Sequence, residues 1–179
     1  MPIYNFANIQ PQIDPTAFIH PDAVVIGDVT IGPHSSVWPG VVIRGDVNKI
    51  IIGARTNIQD GSILHVNRSS EKEPDGVPLI IGDSVLIGHQ VTLHACRIES
   101  EAMIGIGAVV LDRAVVGERA MLGAGSLLPP GKSMESETLW FGSPAKLIRT
   151  RSQEEIAATA KTIISYITLA SRHQESLSG

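Results

Sequence analysis

Three histidines, His65, His89 and His94, could together bind a metal ion. Neutral imidazole is a common ligand of Zn²⁺ and of other transition metals in proteins. Three such nitrogens leave one coordination position open for water, and the metal then lowers the pKa of that water toward about 7. The chemistry to expect is hydration or hydrolysis at a zinc-type centre, provided that the fold brings the three rings together.

A six-residue repeat of aliphatic residues indicates how the fold could do so. No α-helix has a period of six, whereas a hexapeptide repeat is typical of a parallel β-helix, in which three repeats close one triangular coil. Successive coils stack at the strand spacing of about 4.8 Å. Ordinary strands of a β-sandwich, the alternative, do not keep this phase over so many units. The repeat positions are Ile19, Val25, Ile31, Val37 and Ile43; Ile52, Ile58 and Leu64; Ile81, Ile87 and Leu93; and Ile98, Ile104, Val110, Val116, Leu122 and Leu128.

Glycines, prolines and polar stretches punctuate the repeat. Gly often follows the aliphatic residue, as at Gly88 and Gly105, and is expected to supply backbone freedom near a corner. A polar stretch at about 66–79 predicts a loop extruded from one corner, and residues 47–51 predict a smaller bulge. The sequence Pro129-Pro130-Gly131 is expected to stop the repeat, so that residues 1–150 form the β-helix.

A helix is predicted for residues 151–175. Ser152 followed three positions later by Glu155 is a capping box. One helical face is expected to pack on the β-helix, and the tail after Arg172 is expected to be frayed. That face carries Ile156, Ala160, Ile163, Ile167 and Ala170.

The phase of the repeat places the histidines. His65 and His94 each directly follow the aliphatic residue of the third face, one coil apart, so their Cα atoms are expected about 5 Å from each other. Two imidazoles in that relation can share one ion at Zn–N distances of about 2.0–2.1 Å. His89 lies on the second face and should not reach this ion in its own chain. A neighbouring chain around a threefold axis could supply it, which predicts a site split between subunits.

Composition excludes several classes of partner. The net charge is -4 and no block of like charges occurs, which argues against nucleic acid and against anionic membranes. The single cysteine, Cys96, cannot form an internal disulfide, so a cytoplasmic location is expected. The first residues show no secretory signal, and no apolar run reaches the roughly 20 residues that span a bilayer.

Four motifs carry a resemblance to a known family. They are VIRGD at 42–46, NIQDGSILH at 57–65, GHQVTLH at 88–94 and GSPAK at 142–146. Across about residues 12–150 the chain resembles the γ-class carbonic anhydrase-like proteins of the left-handed β-helix superfamily. It looks closest to their short bacterial branch, sometimes called ferripyochelin-binding proteins. The resemblance implies a left-handed β-helix with a C-terminal α-helix, assembled as a homotrimer.

The resemblance also implies an activity and a metal. The activity is the reversible hydration of carbon dioxide to bicarbonate by a metal-bound hydroxide at a trimer interface, and the metal is zinc, with iron or cobalt as alternatives. His65 and His94 of one subunit and His89 of the next are implied to be the ligands.

Further roles follow from the same resemblance. Gln59 is implied to hydrogen-bond the hydroxide, and Arg44 and Asp46 to pair across the interface, with Arg44 available to bicarbonate. Asp60 is implied to be a structural or interface acid nearby. Tyr166 is matched, on a weaker alignment, to a family tyrosine near the site.

One departure from the family keeps two other functions open. The archetypal active member has an acidic loop after the Arg-x-Asp motif and a glutamate shortly after the first metal histidine, whereas here Asp46 precedes Val-Asn-Lys and His65 precedes Val-Asn-Arg. No carboxylate that could export a proton is evident. The alternatives are a CoA-dependent acyltransferase of the same repeat class, which needs one catalytic histidine in a cleft, and a metal-stabilised trimer that binds a ligand without turnover.

Overall fold

The computed structural model describes residues 2–178 and confirms a parallel β-helix of the left-handed hexapeptide class, followed by one helix. Its elements are β1 (Ile3–Tyr4), β2 (Gln12–Ile13), β3 (Phe18–Ile19), β4 (Val24–Ile31), β5 (Ser36–Val37), β6 (Val42–Ile52), β7 (Asn57–Ile58), β8 (Ile63–His65), β9 (Leu79–Ile81), β10 (Leu86–Ile87), β11 (Thr92–His94), β12 (Arg97–Ile98), β13 (Met103–Ile104), β14 (Val109–Val110), β15 (Val115–Val116), β16 (Met121–Leu122), β17 (Leu127–Leu128), β18 (Ser133–Met134), β19 (Thr138–Gly142), β20 (Ala145–Thr150) and α1 (Gln153–Ser178).

The strands stack as the repeat predicts. On the second face β7, β10 and β13 pair in parallel, so that Ile58, Ile87 and Ile104 form one column. On the third face β8 pairs with β11 and Leu64 lies opposite Leu93. All of these repeat residues are fully buried. Each such side chain contributes about 1.5–3 kcal/mol by leaving water, which makes the column of aliphatic residues the core of the fold.

The glycines that follow the aliphatic residues have a different role from the one predicted. Gly88 and Gly105 do not adopt left-handed backbone angles. They permit close approach of the next coil, because a Cβ on Gly88 would lie 2.8 Å from the backbone nitrogen of Ile106. The left-handed corners lie two residues further on, at Gln90 (φ 58°) and Gly107 (φ 67°). The expectation of backbone freedom at Gly88 and Gly105 was therefore wrong.

Both predicted breaks in phase are present. The pairing of β4 with β6 passes from Gly27–Gly45 directly to Val29–Ile50, so that residues 46–49 bulge from the coil. The polar segment between β8 and β9 leaves the coil as a loop, and antiparallel contacts join Asn67 to Val77 near its base.

The repeat continues beyond the prolines, contrary to the prediction. Strand β18 pairs with β15 and strand β19 pairs with β16. Met134 and Trp140, six and twelve residues after Leu128, are buried in the core. The prolines fall at a corner, where Gly131 has a φ of 68° and no regular strand is needed, so they turn the chain without ending the helix. The antiparallel hairpin β19–β20 follows.

Helix α1 begins with the predicted capping box. The Ser152 hydroxyl accepts from the Glu155 backbone nitrogen at 3.2 Å, and the Glu155 carboxylate accepts from the Ser152 nitrogen at 2.9 Å. The packed face is the predicted one at Ile163 and Ala170, which are buried, but Ala160 is exposed and Thr159 is buried instead. Thr159 is drawn inward because its hydroxyl accepts a hydrogen bond from the buried Arg151 at 2.7 Å.

The end of α1 is ordered helix as far as Ser178, so the expectation of a frayed tail after Arg172 was wrong. His173 lies against Trp38 and Phe18 of the β-helix, with ring centroids 5.0 and 6.2 Å apart, and these contacts extend the packing of the last turns. Within residues 2–178, the helical structure does not combine the length and the hydrophobicity that spanning a bilayer requires.

Candidate metal centre

His65 and His94 lie side by side on the third face of the β-helix. They are a register pair of strands β8 and β11, as their phase predicts. Nδ1 of His65 and Nε2 of His94 face each other at 3.2 Å. Two nitrogens bound to one tetrahedral zinc at about 2.0–2.1 Å would be about 3.3–3.4 Å apart. The spacing of the pair therefore fits two ligands of a single ion.

A carboxylate holds the outer nitrogen of each ring. Nε2 of His65 donates to Oδ1 of Asp46 at 2.9 Å, and Nδ1 of His94 donates to Oδ1 of Asp112. With these protons on the outer nitrogens, both inner nitrogens present lone pairs to the same point. Two facing lone pairs repel unless a cation lies between them, so the donor set fits a metal ion.

Asp46 connects the histidine pair to Arg44. The Arg44 guanidinium donates to the second carboxylate oxygen of Asp46, within one chain. Burial alone would raise the pKa of Asp46, but the hydrogen bonds from His65 and Arg44 outweigh it and hold the pKa below its ordinary value. Asp46 is therefore a stable anion. Pairing of Arg44 with Asp46 across an interface stays a prediction.

Asp112 is the site residue that sequence reasoning missed. Its second oxygen accepts from Nδ2 of Asn67 at 2.8 Å, and Asn67 belongs to the loop that leaves strand β8. Asp112 lies 18 residues after His94, whereas strands β11 and β14 pair Leu93 with Val110, 17 residues further on. The phase of the repeat therefore does not place Asp112 over His94, and Asp112 reaches His94 from the turn that follows β14.

His89 lies on the second face, at the corner after strand β10. Its Nδ1 is paired with Oδ2 of Asp60 at 2.9 Å, and both side chains are nearly half exposed. Asp60, expected to be a structural acid, thus leaves Nε2 of His89 available for another partner. Among residues 2–178 of a single chain, no three His, Cys, Asp or Glu side chains converge on a possible metal position.

Gln59 and Tyr166 are not brought to the histidine pair within one chain. Gln59 is 6% exposed on the second face and donates to Oδ1 of Asn57 at 3.1 Å. Tyr166 packs edge-on against Trp38, with ring centroids 5.7 Å apart. Gln59 and Tyr166 are linked to each other only through their partners. Asn57, which contacts Gln59, and Trp38, which contacts Tyr166, both donate to the Ser36 hydroxyl. Catalytic roles for Gln59 and Tyr166 stay predictions.

Cys96 lies close in sequence to His94 but is buried in the core. Burial raises the pKa of its thiol far above the ordinary value, so almost no thiolate forms near neutral pH. A thiol of this kind is an inert packing group.

Three comparisons relate this architecture to known proteins. A family profile described as "Bacterial transferase hexapeptide (six repeats)" matches residues 10–45. A carbonic anhydrase of Geobacillus kaustophilus is 44% identical over 154 residues, which cover 86% of this chain and 81% of that protein. The mitochondrial gamma carbonic anhydrase 1 of Arabidopsis thaliana is 43% identical over 171 residues, and the match covers 96% of this chain but only 62% of that protein's length. A solved structure of a hexapeptide transferase family protein from Anaplasma phagocytophilum is 44% identical, with a TM-score of 0.86 over 94% of this chain and 95% of the other.

Proposed function

We propose that this chain, which belongs to the γ-class carbonic anhydrase-like family of hexapeptide-repeat proteins, binds a divalent metal between subunits and hydrates carbon dioxide reversibly. The observation that carries the proposal is the pair of facing nitrogens of His65 and His94, each backed by a carboxylate on its other nitrogen. Zinc is the expected metal, and iron or cobalt would suit the same imidazole ligands.

The third ligand in this proposal is His89 of a neighbouring chain. The Asp60 carboxylate is paired with Nδ1 of His89, which leaves Nε2 as the ligating atom. The His89 side chain is nearly half exposed, so another chain can reach it. A closed ring of three subunits gives every site the same composition, because each chain supplies one pair and one single histidine. The homotrimer is thus part of the proposal, and three histidines leave an open position for water.

The chain's own residues supply binding and orientation. When bound, the metal acts as a Lewis acid and lowers the pKa of water toward about 7. Arg44 is fixed by Asp46 and its side chain is 45% exposed, so its remaining donors are free to bind bicarbonate. The Gln59 amide, held by Asn57, is proposed to orient the attacking water through its carbonyl oxygen.

Proton export is the step for which this chain is least equipped. Asp46 and Asp112 already accept hydrogen bonds from the histidines, and the residue after Val66 is Asn67 where the family's active archetype carries a glutamate nearby. We expect turnover to be low and to rise with the concentration of an imidazole-type buffer, which can carry the proton instead.

Metal analysis of the purified protein and stopped-flow carbon dioxide hydration test this function together. His65→Ala, His89→Ala and His94→Ala should each lose bound metal and hydration activity. His20→Ala is the matched control, because Nδ1 of His20 also lies near a carboxylate, that of Asp22 at 3.7 Å. It should keep both properties.

Two results would redirect the proposal. A zinc-loaded trimer without hydration at any buffer concentration would favour the ligand-binding protein without turnover. A metal-free protein that transfers acyl groups from CoA would favour the acyltransferase, in which one histidine is sufficient as a general base.

A further inference from the structure

We infer that Asp112 is a positioning residue, held in place by Asn67, that fixes His94 in the tautomer with a proton on Nδ1 and its Nε2 free to ligate. The inference rests on the proposed metal site for its functional meaning. The tautomer itself is a property of the metal-free chain and can be tested separately.

Both oxygens of Asp112 are engaged, which fixes the orientation of the carboxylate. Oδ1 accepts from Nδ1 of His94, and Oδ2 accepts from Nδ2 of Asn67 at 2.8 Å. A carboxylate can only accept, so His94 must place its proton on Nδ1 to satisfy this contact. Nε2 then carries the lone pair that faces Nδ1 of His65.

Asn67 is itself anchored by the base of the loop. Its backbone nitrogen and oxygen pair with Val77 at 3.0 and 3.1 Å, and its oxygen also accepts from Nδ2 of Asn48 at 3.1 Å. Gly76 makes this crossing possible, since a Cβ there would lie 2.6 Å from the Asn67 oxygen. Hydrogen bonds at the base of the loop between β8 and β9 therefore hold Asn67 in place beside Asp112.

Asp112 differs from Asp46 in its second partner. Asp46 shares its charge with the Arg44 guanidinium, whereas Asp112 receives only the neutral amide of Asn67. Of the two groups that hydrogen-bond Asp112, His94 is therefore the one that can share its charge, while the neighbouring Arg113 guanidinium interacts with Asp112 only through space. A carboxylate so placed raises the basicity of the opposite ring nitrogen, and removal of such outer partners typically weakens metal binding about 10–100-fold.

The alternative is that Asp112 only anchors the loop. In that case, loosening the loop at another contact should affect His94 in the same way as replacing Asp112. The same loop is also tied down by Glu73, whose carboxylate accepts from Arg113. Glu73→Gln loosens the loop without touching His94, so it separates loop anchoring from tautomer control.

The experiment uses Asp112→Asn and, because it deletes the acceptor outright, Asp112→Ala. Selective ¹⁵N-histidine NMR of the metal-free proteins reports which nitrogen of His94 is protonated, with the signals assigned by their loss in His94→Gln. The wild type and Glu73→Gln should show Nδ1–H. Asp112→Asn should shift His94 toward Nε2–H, because Asn67 donates to the new amide oxygen and leaves the NH₂ group facing the ring.

Zinc affinity, measured by competition with a chromophoric chelator, is the second readout. Both Asp112 variants should bind zinc about 10–100-fold more weakly than the wild type, and Glu73→Gln should bind it equally. An unchanged His94 tautomer in both Asp112 variants would overturn the inference, as would an equal loss of zinc in Glu73→Gln. If the wild type binds no zinc while its tautomer still depends on Asp112, the inference stands and the proposed function fails.

Discussion

Nδ1 of His65 faces Nε2 of His94 at 3.2 Å across two successive coils, and the opposite nitrogens of both rings donate to carboxylates. The β-helix produces this relation through its register, because equivalent positions of adjacent coils lie one strand spacing apart. Two lone pairs thus converge on one point at the surface of the third face. The pair could supply two ligands to a tetrahedral metal ion, and the proposed function requires the remaining ligands to come from outside the chain.

Mixed assemblies test whether the other half is His89 of another chain. A site needs the His65–His94 pair from one subunit and His89 from its neighbour, so His89→Ala and His94→Ala should each bind no zinc alone. In trimers refolded from an equal mixture, about one quarter of the sites combine the intact parts of both variants. Zinc analysis should recover about that fraction, and recovery of none would exclude shared ligation.

The repeat positions should carry the stability of the fold. Ile104 is fully buried in the column of the second face, so Ile104→Ala should lower the free energy of unfolding by about 2–5 kcal/mol. Ile148, in the terminal hairpin, is 57% exposed. Ile148→Ala should therefore change the free energy of unfolding by less than about 0.5 kcal/mol. Urea unfolding of both variants at one protein concentration compares the two, and equal losses would contradict the assignment of the core.

The two kinds of glycine should respond differently to substitution. A Cβ on Gly105 would overlap the backbone of Ala124 in the next coil, so Gly105→Ala should cost about 1–3 kcal/mol or more. Gly107 has a φ of 67° and open space around its Cα. Asn tolerates that conformation, so Gly107→Asn should be nearly neutral. Thermal unfolding of the two variants measures the contrast, and a Gly105→Ala variant as stable as Gly107→Asn would contradict the close approach of the coils at Gly105.

The start of α1 should depend on pH through Glu155. Its carboxylate accepts from both terminal nitrogens of Arg149 at 2.8 Å and from the Ser152 nitrogen, which lowers its pKa from 4.5 to about 2. A carboxyl with a lower pKa in the folded state stabilises it fully above its ordinary pKa. That contribution is lost as the pH falls through about 2.

Urea unfolding should therefore show Glu155→Gln less stable than the wild type at pH 6. The difference should shrink as the pH is lowered from about 4.5 toward about 2. Glu154→Gln is the control, since its carboxylate only meets the Ser152 hydroxyl at 3.4 Å. A difference for Glu155→Gln that stayed constant down to pH 2 would exclude the ionised carboxylate as its cause.

The six-residue period alone determined the architecture and the pairing of His65 with His94. A period of six fits a three-sided coil, and the phase within it says which side chains share a face, as Leu64 and Leu93 do. The same period also extends the β-helix through Met134 and Trp140, so the predicted stop at the prolines before them was wrong. A corner tolerates proline because it has no strand pairing to interrupt.

Tertiary structure decided which side chains contact the His65–His94 pair. Asp112 reaches His94 only because the corner turns its side chain back over the preceding coil, and Asn67 reaches Asp112 only because the loop folds against that corner. The direction of a corner side chain depends on local backbone angles that a period does not specify. Tyr166 shows the same limit on the helix, since its contact with Trp38 depends on how α1 is rotated against the second face. The sequence thus determined which residues stack, and only the folded chain determined which nitrogen of each ring is left free.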